Sequence, residues 1–247
     1  MKKTQDLLRR AGAAALALTM TVGLCRPAFA ATKAPFSKDE TVYAVMAADG
    51  SVQKTTVSEH LYAADGLAGV EDKSTLKNIV NTESFAEYTR NGDTLVWNTD
   101  DTDVYYKGDT DRQLPISAKV TYTLDGRTAP LSELLGKSGH LVLTIDLTNN
   151  EKGTLTVDGK ERTVVTPLVT AVGVVLGGDA RNVNAVNGLL ESAAKSSVAA
   201  FVALPGVKAS LDGLLPQQVD GVTRYLQDSL TVEADVEELT APQILLA

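Results

Sequence analysis

Five aspartates crowd one short stretch, "NTDDTDVYYKGDTD", at Asp100, Asp101, Asp103, Asp109 and Asp111. Calcium takes about six to eight oxygen ligands, which turn-borne carboxylates and backbone carbonyls supply. These five are therefore the candidate metal ligands, and calcium is the one cofactor the sequence suggests. The spacing departs from the acidic calcium-loop pattern, since no glycine or distal glutamate falls in place. Aspartates at strand ends also close turns and blunt exposed edges, and that is the competing reading.

Trp97, Tyr105 and Tyr106 flank the same stretch and form a candidate binding patch for a glycan or a protein. Aromatics on adjacent strands more often pair across a sheet inside the core. Tyr105 and Tyr106 are consecutive, so on a strand they face opposite ways. The two histidines, His60 and His140, have no second histidine or cysteine at ligand spacing and read as surface or edge residues. Nucleophilic hydrolysis needs an activated Ser or Cys, yet no G-x-S-x-G elbow occurs. "GKSG" (Gly136–Gly139) lacks the first glycine of a phosphate loop, because Leu131 stands there. Glu83, Glu87 and the aspartates at 100–111 could form a glycosidase-type carboxylate pair, whose separation only the fold decides. One tryptophan, four phenylalanines and seven tyrosines are few for a groove that stacks sugars. The expectation is a protein that is not an enzyme.

Residues 1–30 carry an export signal. Lys2, Lys3, Arg9 and Arg10 precede an apolar run from Ala11 to Leu24, and Ala28-Phe29-Ala30 is a small-x-small cleavage site, placing the cut between Ala30 and Ala31. That run is too short to span a bilayer, which needs about 20 residues. Arg9-Arg10 lacks the bulky apolar pair of a twin-arginine signal, and Leu24 before Cys25 is too large for a lipidation site. The expected product is secreted or cell-envelope associated, with no transmembrane helix in the mature chain. Its only cysteine, Cys25, leaves with the signal. Removal takes away five basic residues and one acid, leaving 18 basic and 30 acidic residues and a formal net charge of −12. That excess argues against nucleic acid or anionic lipid as partner.

The elements that must position these residues are strands. Asp-Gly and Asn-Gly pairs recur at Asp49, Asp65, Asn91, Asp125, Asp158, Asn187, Asp212 and Asp220, each a hairpin signal. Residues 31–39 read as a disordered leader. A hairpin follows over 41–58, then a weak region in which Lys73–Val80 is a short helix or an irregular connection. A meander carries Phe85, Tyr88, Leu95, Trp97, Val104 and Tyr106. "ISAKVTYTL" (116–124) and "HLVLTIDLT" (140–148) alternate strictly, as half-buried antiparallel strands do, with one helical turn between them opened at Pro130 and stopped at Gly136. "LVTAVGVVLGG" (168–178) is a near-continuous apolar run and reads as a buried strand. Strands are also expected over 196–204 and 230–239, and a helix near 216–228. The sum is an all-β, antiparallel sandwich-like architecture with short helices. It divides into β-rich parts at 40–165 and 166–247, where the composition shifts near Pro167.

The segment "DVYYKGDTDRQLPISAKVTYTLDGRTAPLSELLGKSGHLVLTIDLTNN", with the start at Asp39–Tyr43 and Asp49-Gly50 and the later blocks "ALPGVKASLD" and "VEADVEEL", resembles a group of uncharacterised exported proteins of Gram-positive gut bacteria. The group is distantly similar to the phage-infection-protein group of envelope proteins. The resemblance covers most of the mature chain and implies an exported β architecture. It supplies no catalytic residues. Relatives often continue into a heptad-type segment and a membrane anchor, neither of which this sequence contains, so a truncated relative is one expectation. The partner expected is an envelope or extracellular protein or glycan.

Overall fold

The computed structural model describes residues 36–157, 159–193, 195–211 and 225–247. The expected signal peptide, residues 31–35 and most of the helix expected near 216–228 lie outside the described residues. The chain falls into two compact units, one of residues up to Val45 with Lys54–Asp111, the other of Met46–Gln53 with Arg112–Ala247. The division therefore runs beside Asp111 and not at Pro167. The composition shift misled because strands on both sides of 167 contribute to a single hydrophobic cluster.

The first unit holds β1 (Ser37–Met46), β2 (Val52–Tyr62), β3 (Glu71–Lys73), β4 (Lys77–Asn81), β5 (Tyr88–Asn91), β6 (Thr94–Trp97) and β7 (Asp103–Asp109). They form two sheets, ordered β1-β2-β7-β4 and β3-β6-β5. The expected meander is thus split. β5 and β6 pair in one sheet while β7 joins β2 in the other, so "NTDDT" is a crossover and not a hairpin turn. Phe85 is fully exposed, whereas Leu95, Trp97, Val104 and Tyr106 are buried. Lys73–Val80 holds no helix, and the expected leader ends early because β1 already begins at Ser37.

The second unit holds β8 (Ile116–Leu124), β9 (Arg127–Thr128), the one-turn helix α1 (Leu131–Leu134), β10 (Gly139–Asn149), β11 (Lys152–Val157), β12 (Lys160–Val165), β13 (Thr170–Gly177), β14 (Ala180–Val186), β15 (Leu189–Ala193), β16 (Ser196–Ala203), α2 (Val207–Ser210), β17 (Ser229–Val236) and β18 (Gln243–Leu246). One sheet runs β14-β17-β10-β8-β9, another β15-β16-β13-β18, and β11-β12 stands as a separate hairpin. The alternating strands pair as their pattern predicts, with Leu143 opposite Tyr122 and Ile145 opposite Val120. Their apolar rows meet Val172, Val174, Leu176, Ala199 and Phe201 from the other sheet in one core. This is an all-β, sandwich-like fold. β18 has no counterpart among the strands expected from sequence.

The β1–β2 turn shows why a turn residue is fixed by more than its hairpin. Asp49 accepts hydrogen bonds from the Ser51 N–H at 2.9 Å and the Ser51 hydroxyl at 2.7 Å, and Gly50 takes φ +89°. A Cβ on Gly50 would lie 2.2 Å from the Ala118 carbonyl oxygen. Both the left-handed backbone and the close approach exclude a side chain there.

Candidate functional site

In the first unit a charged cluster occupies a core position. On β2 the inward row is Thr55, Val57, Glu59 and Leu61, so Glu59 takes an apolar place in the strand's period. Directly opposite Glu59 stands Tyr106 of β7. Asp72, the middle residue of β3, faces them from the second sheet, and Glu59, Asp72 and Tyr106 are all buried. Lys38, near the start of β1, reaches in between. Its Nζ lies 2.8 Å from Asp72 Oδ1 and 3.1 Å from Glu59 Oε1. The ammonium also donates to the Tyr106 hydroxyl and the Lys73 carbonyl, both at 3.2 Å. Tyr106 in turn donates its hydroxyl proton to Asp72 Oδ2.

Two carboxylates share one ammonium here, and the pairing is incomplete. Glu59 Oε2 is buried with no hydrogen-bond partner. Burial is the main force on Glu59 and pushes its carboxyl up to about 7, against the pull of Lys38, with Glu40 and Asp72 adding repulsion. Burial alone would lower Lys38, but the charges of Asp72 and Glu59 outweigh it and hold the ammonium above its ordinary value. Burial and the Asp72 charge drive the Tyr106 phenol far above its usual range. Trp97 closes the site, its ring 5.3 Å from those of Tyr88 and Tyr106.

The structure corrects the sequence-predicted sites. Trp97 and Tyr106 are wholly buried, so they form no surface patch. Tyr105, on the opposite face of β7, is half-buried and stacked on His60 with ring centroids 4.1 Å apart. The aspartates do not converge, and no group of three metal-ligating side chains occurs among the described residues. Strand β7 separates Asp103 at one end from Asp109 at the other, and each has local work. Asp103 accepts from Thr102 and lies 2.8 Å from His60 Nε2. Asp109 pairs with Lys54, Thr56 and Asn78. Asp101 accepts from Thr99, and Asp111 pairs with Lys77. Glu83 and Glu87 are exposed. His140 is exposed and bonded to Asp235, and "GKSG" is the turn between α1 and β10.

No protein-family model matches the chain, and no curated protein matches it. Among the described residues no helix is long and apolar enough to cross a membrane.

The second unit offers a surface. The inward row of β13 is Thr170, Val172, Val174 and Leu176, while Ala171, Gly173, Val175 and Gly177 point outward. The outward row of β16 is Ser196, Val198, Ala200 and Val202. By register, Leu189, Ala200, Gly173 and Leu245 lie in one line across the four strands. Leu189 and Leu245 are 76% and 69% exposed, two ridges on the edge strands with the small residues as a valley between. The next line is Glu191, Val198, Val175 and Gln243. On a chain this acidic, a sheet face whose central strands carry no outward charge is the exception. An open groove of about 390 Å³ also occurs in this unit, beside Asn149, Lys152, Gly206 and Ser210. It has one carboxylate, Asp228, already bonded to the Gly206 N–H at 2.6 Å.

Proposed function

We propose that the chain is an exported, non-enzymatic protein of the bacterial cell envelope or exterior that works by docking another protein. The observation that carries this reading is the outward face of β15-β16-β13-β18. Four strands about 4.8 Å apart and four to eight residues long make a face on the order of 400 Å², the size of patch that on monomers is often functional. An aliphatic face suits a protein partner. Sugar recognition would need aromatic platforms, and the tryptophan and Tyr106 that the glycan alternative relied on are in the core. The signal pattern of residues 1–30 and the acidic mature charge fit an extracellular setting. The paired-carboxylate alternative draws less support, because Asp103 and Asp109 stand at opposite ends of β7 and Asp101, Asp103, Asp109 and Asp111 each bond a different partner.

The test is capture from envelope and culture fractions with the wild-type chain and with Val202→Lys and Leu245→Lys. Both substitutions are on exposed positions and leave the core intact. A protein retained by wild type and lost by both variants supports the docking face. Equal retention by the variants, recovery of polysaccharide, or hydrolysis of a glycan by the purified protein rules the reading out.

A further inference from the structure

We infer that Lys38 and Asp72 are poised to join covalently, as a side-chain amide that cross-links the two sheets of the first unit. The inference is independent of the docking face and rests on the buried cluster.

An ordinary buried ion pair matches one cation with one anion and satisfies the remaining lone pairs. This cluster instead places two carboxylates around one amine and leaves a carboxylate oxygen, Glu59 Oε2, without a partner. The arrangement has the parts an acyl condensation needs. Lys38 Nζ is the nucleophile, 2.8 Å from Asp72 Oδ1 and so beside the carboxyl carbon. Glu59 Oε1, 3.1 Å from Nζ, is the proton acceptor, and its free Oε2 gives the relayed proton a second seat. A relay is most effective when its pKa lies near the working pH, and burial holds Glu59 at about 7. Tyr106 donates its hydroxyl to Asp72 Oδ2, where negative charge grows as the carbon becomes tetrahedral, the role of an oxyanion donor. Burial of Glu59, Asp72 and Tyr106 limits the water around the Asp72 carboxyl, which would otherwise favour hydrolysis. Held in contact by two sheets, the reactants act at the high effective concentration of an intramolecular pair.

The atoms balance without a co-reactant. Nζ passes a proton to Glu59, and its lone pair forms a bond to the Asp72 carboxyl carbon. Oδ2, held by Tyr106, carries the developing charge and becomes the amide oxygen. The bond from that carbon to Oδ1 breaks, and Oδ1 leaves as water with the two protons that Nζ has lost, delivered through Glu59. An ammonium and a carboxylate become one neutral amide and one water, and Glu59 ends as it began. The amide ties β1 to β3 across 34 positions of the chain.

The experiment is the intact mass of the full chain purified from an exporting host, with fragment-ion sequencing of a proteolytic digest. Lys38→Arg, which keeps the charge, and Glu59→Gln, which keeps the shape, run beside it. The emission of buried Trp97 reports whether each protein is folded. The expected result is a wild-type mass short by one water and a branched peptide in which Lys38 carries Asp72. The shortfall is expected to vanish in Lys38→Arg, and bond formation to be lost or greatly slowed in Glu59→Gln. Tyr106→Phe is expected to form the bond more slowly than wild type. A folded wild-type protein of full mass with linear Lys38 and Asp72 peptides, after prolonged incubation at neutral pH, overturns the inference. So does a water loss that persists in Lys38→Arg.

Discussion

The two units bury their interiors in different chemical currencies. The second has a core of aliphatic rows in which Leu141, Leu143, Ile145, Val172, Val174, Leu230 and Val232 interdigitate, with Phe201 and Tyr122 as its aromatics. The first gathers Trp97 and Tyr106 around Lys38, Glu59 and Asp72. Burying an ion cluster contributes little net stability and is unforgiving when one member is lost, whereas aliphatic packing is graded and insensitive to pH. The first unit thus spends interior volume on groups that do not stabilise in proportion to their burial. A core of that kind calls for a chemical explanation, and the amide between Lys38 and Asp72 is one.

The sharpest break of the comparison is Lys38→Met. It leaves two carboxylates buried without a cation and is expected to cost about 3–5 kcal/mol, read as a lower urea midpoint in Trp97 fluorescence. The matching change in the second unit, Leu143→Ala, deletes a wholly buried side chain. It is expected to cost about 2–4 kcal/mol, by far-UV circular dichroism, and to cost the same at every pH. The pH response separates the units further. Glu59 is raised from 4.5 to about 7, so the folded state binds more protons than the unfolded one between those values. Stability of the first unit therefore falls as pH rises through that window, and Glu59→Gln flattens the slope. Burial leads the shift, so the direction is the same with or without the amide. A slope of opposite sign in the wild type would end this account of the cluster.

The smallest effect lies on the surface of the second unit. The hydrogen bond from His140 to Asp235 raises the imidazole above its ordinary value. A raised histidine contributes stability below its unfolded pKa of about 6.5 and loses it as pH rises through the folded value. The ring is exposed, so melting should barely move, but its NMR titration midpoint should drop in Asp235→Asn.

Much of this fold was legible in sequence. Strict alternation gave β8 and β10 their faces and their pairing, and Pro130 and Gly136 bracketed α1. The misreadings share a cause, which is that period alone does not say what covers a face. The run 168–178 has no charged residue and a single polar one, Thr170, so it reads as buried on both sides, yet β13 buries one face and leaves the other outward. The same feature that hid this face from a pattern reading is what suits it to the docking role we propose. The cluster was hidden by residue type, because Glu59 and Asp72 look like surface charges when counted one by one. The available signal was phase. Glu59 falls between Val57 and Leu61, and Asp72 between Val70 and Ser74, each on an inward row. The clustered aspartates misled for the converse reason, since nearness along the chain is lost when a strand such as β7 separates its ends.

The turn of the first hairpin has a consequence for how such a protein can be cut apart or recombined. Strands β1 and β2 mostly serve the first unit, but the turn between them and the strand ends beside it, residues 46–53, belong to the second. There the Asp49 carbonyl accepts from the Val120 N–H at 2.8 Å and the Ala48 carbonyl from the Tyr122 hydroxyl at 3.0 Å. A gene fragment encoding 112–247 would leave both donors of β8 without those acceptors. The polypeptide crosses from one unit to the other three times, so neither can be inherited, swapped or expressed as a continuous cassette. Interleaved in this way, the two units must be selected as one.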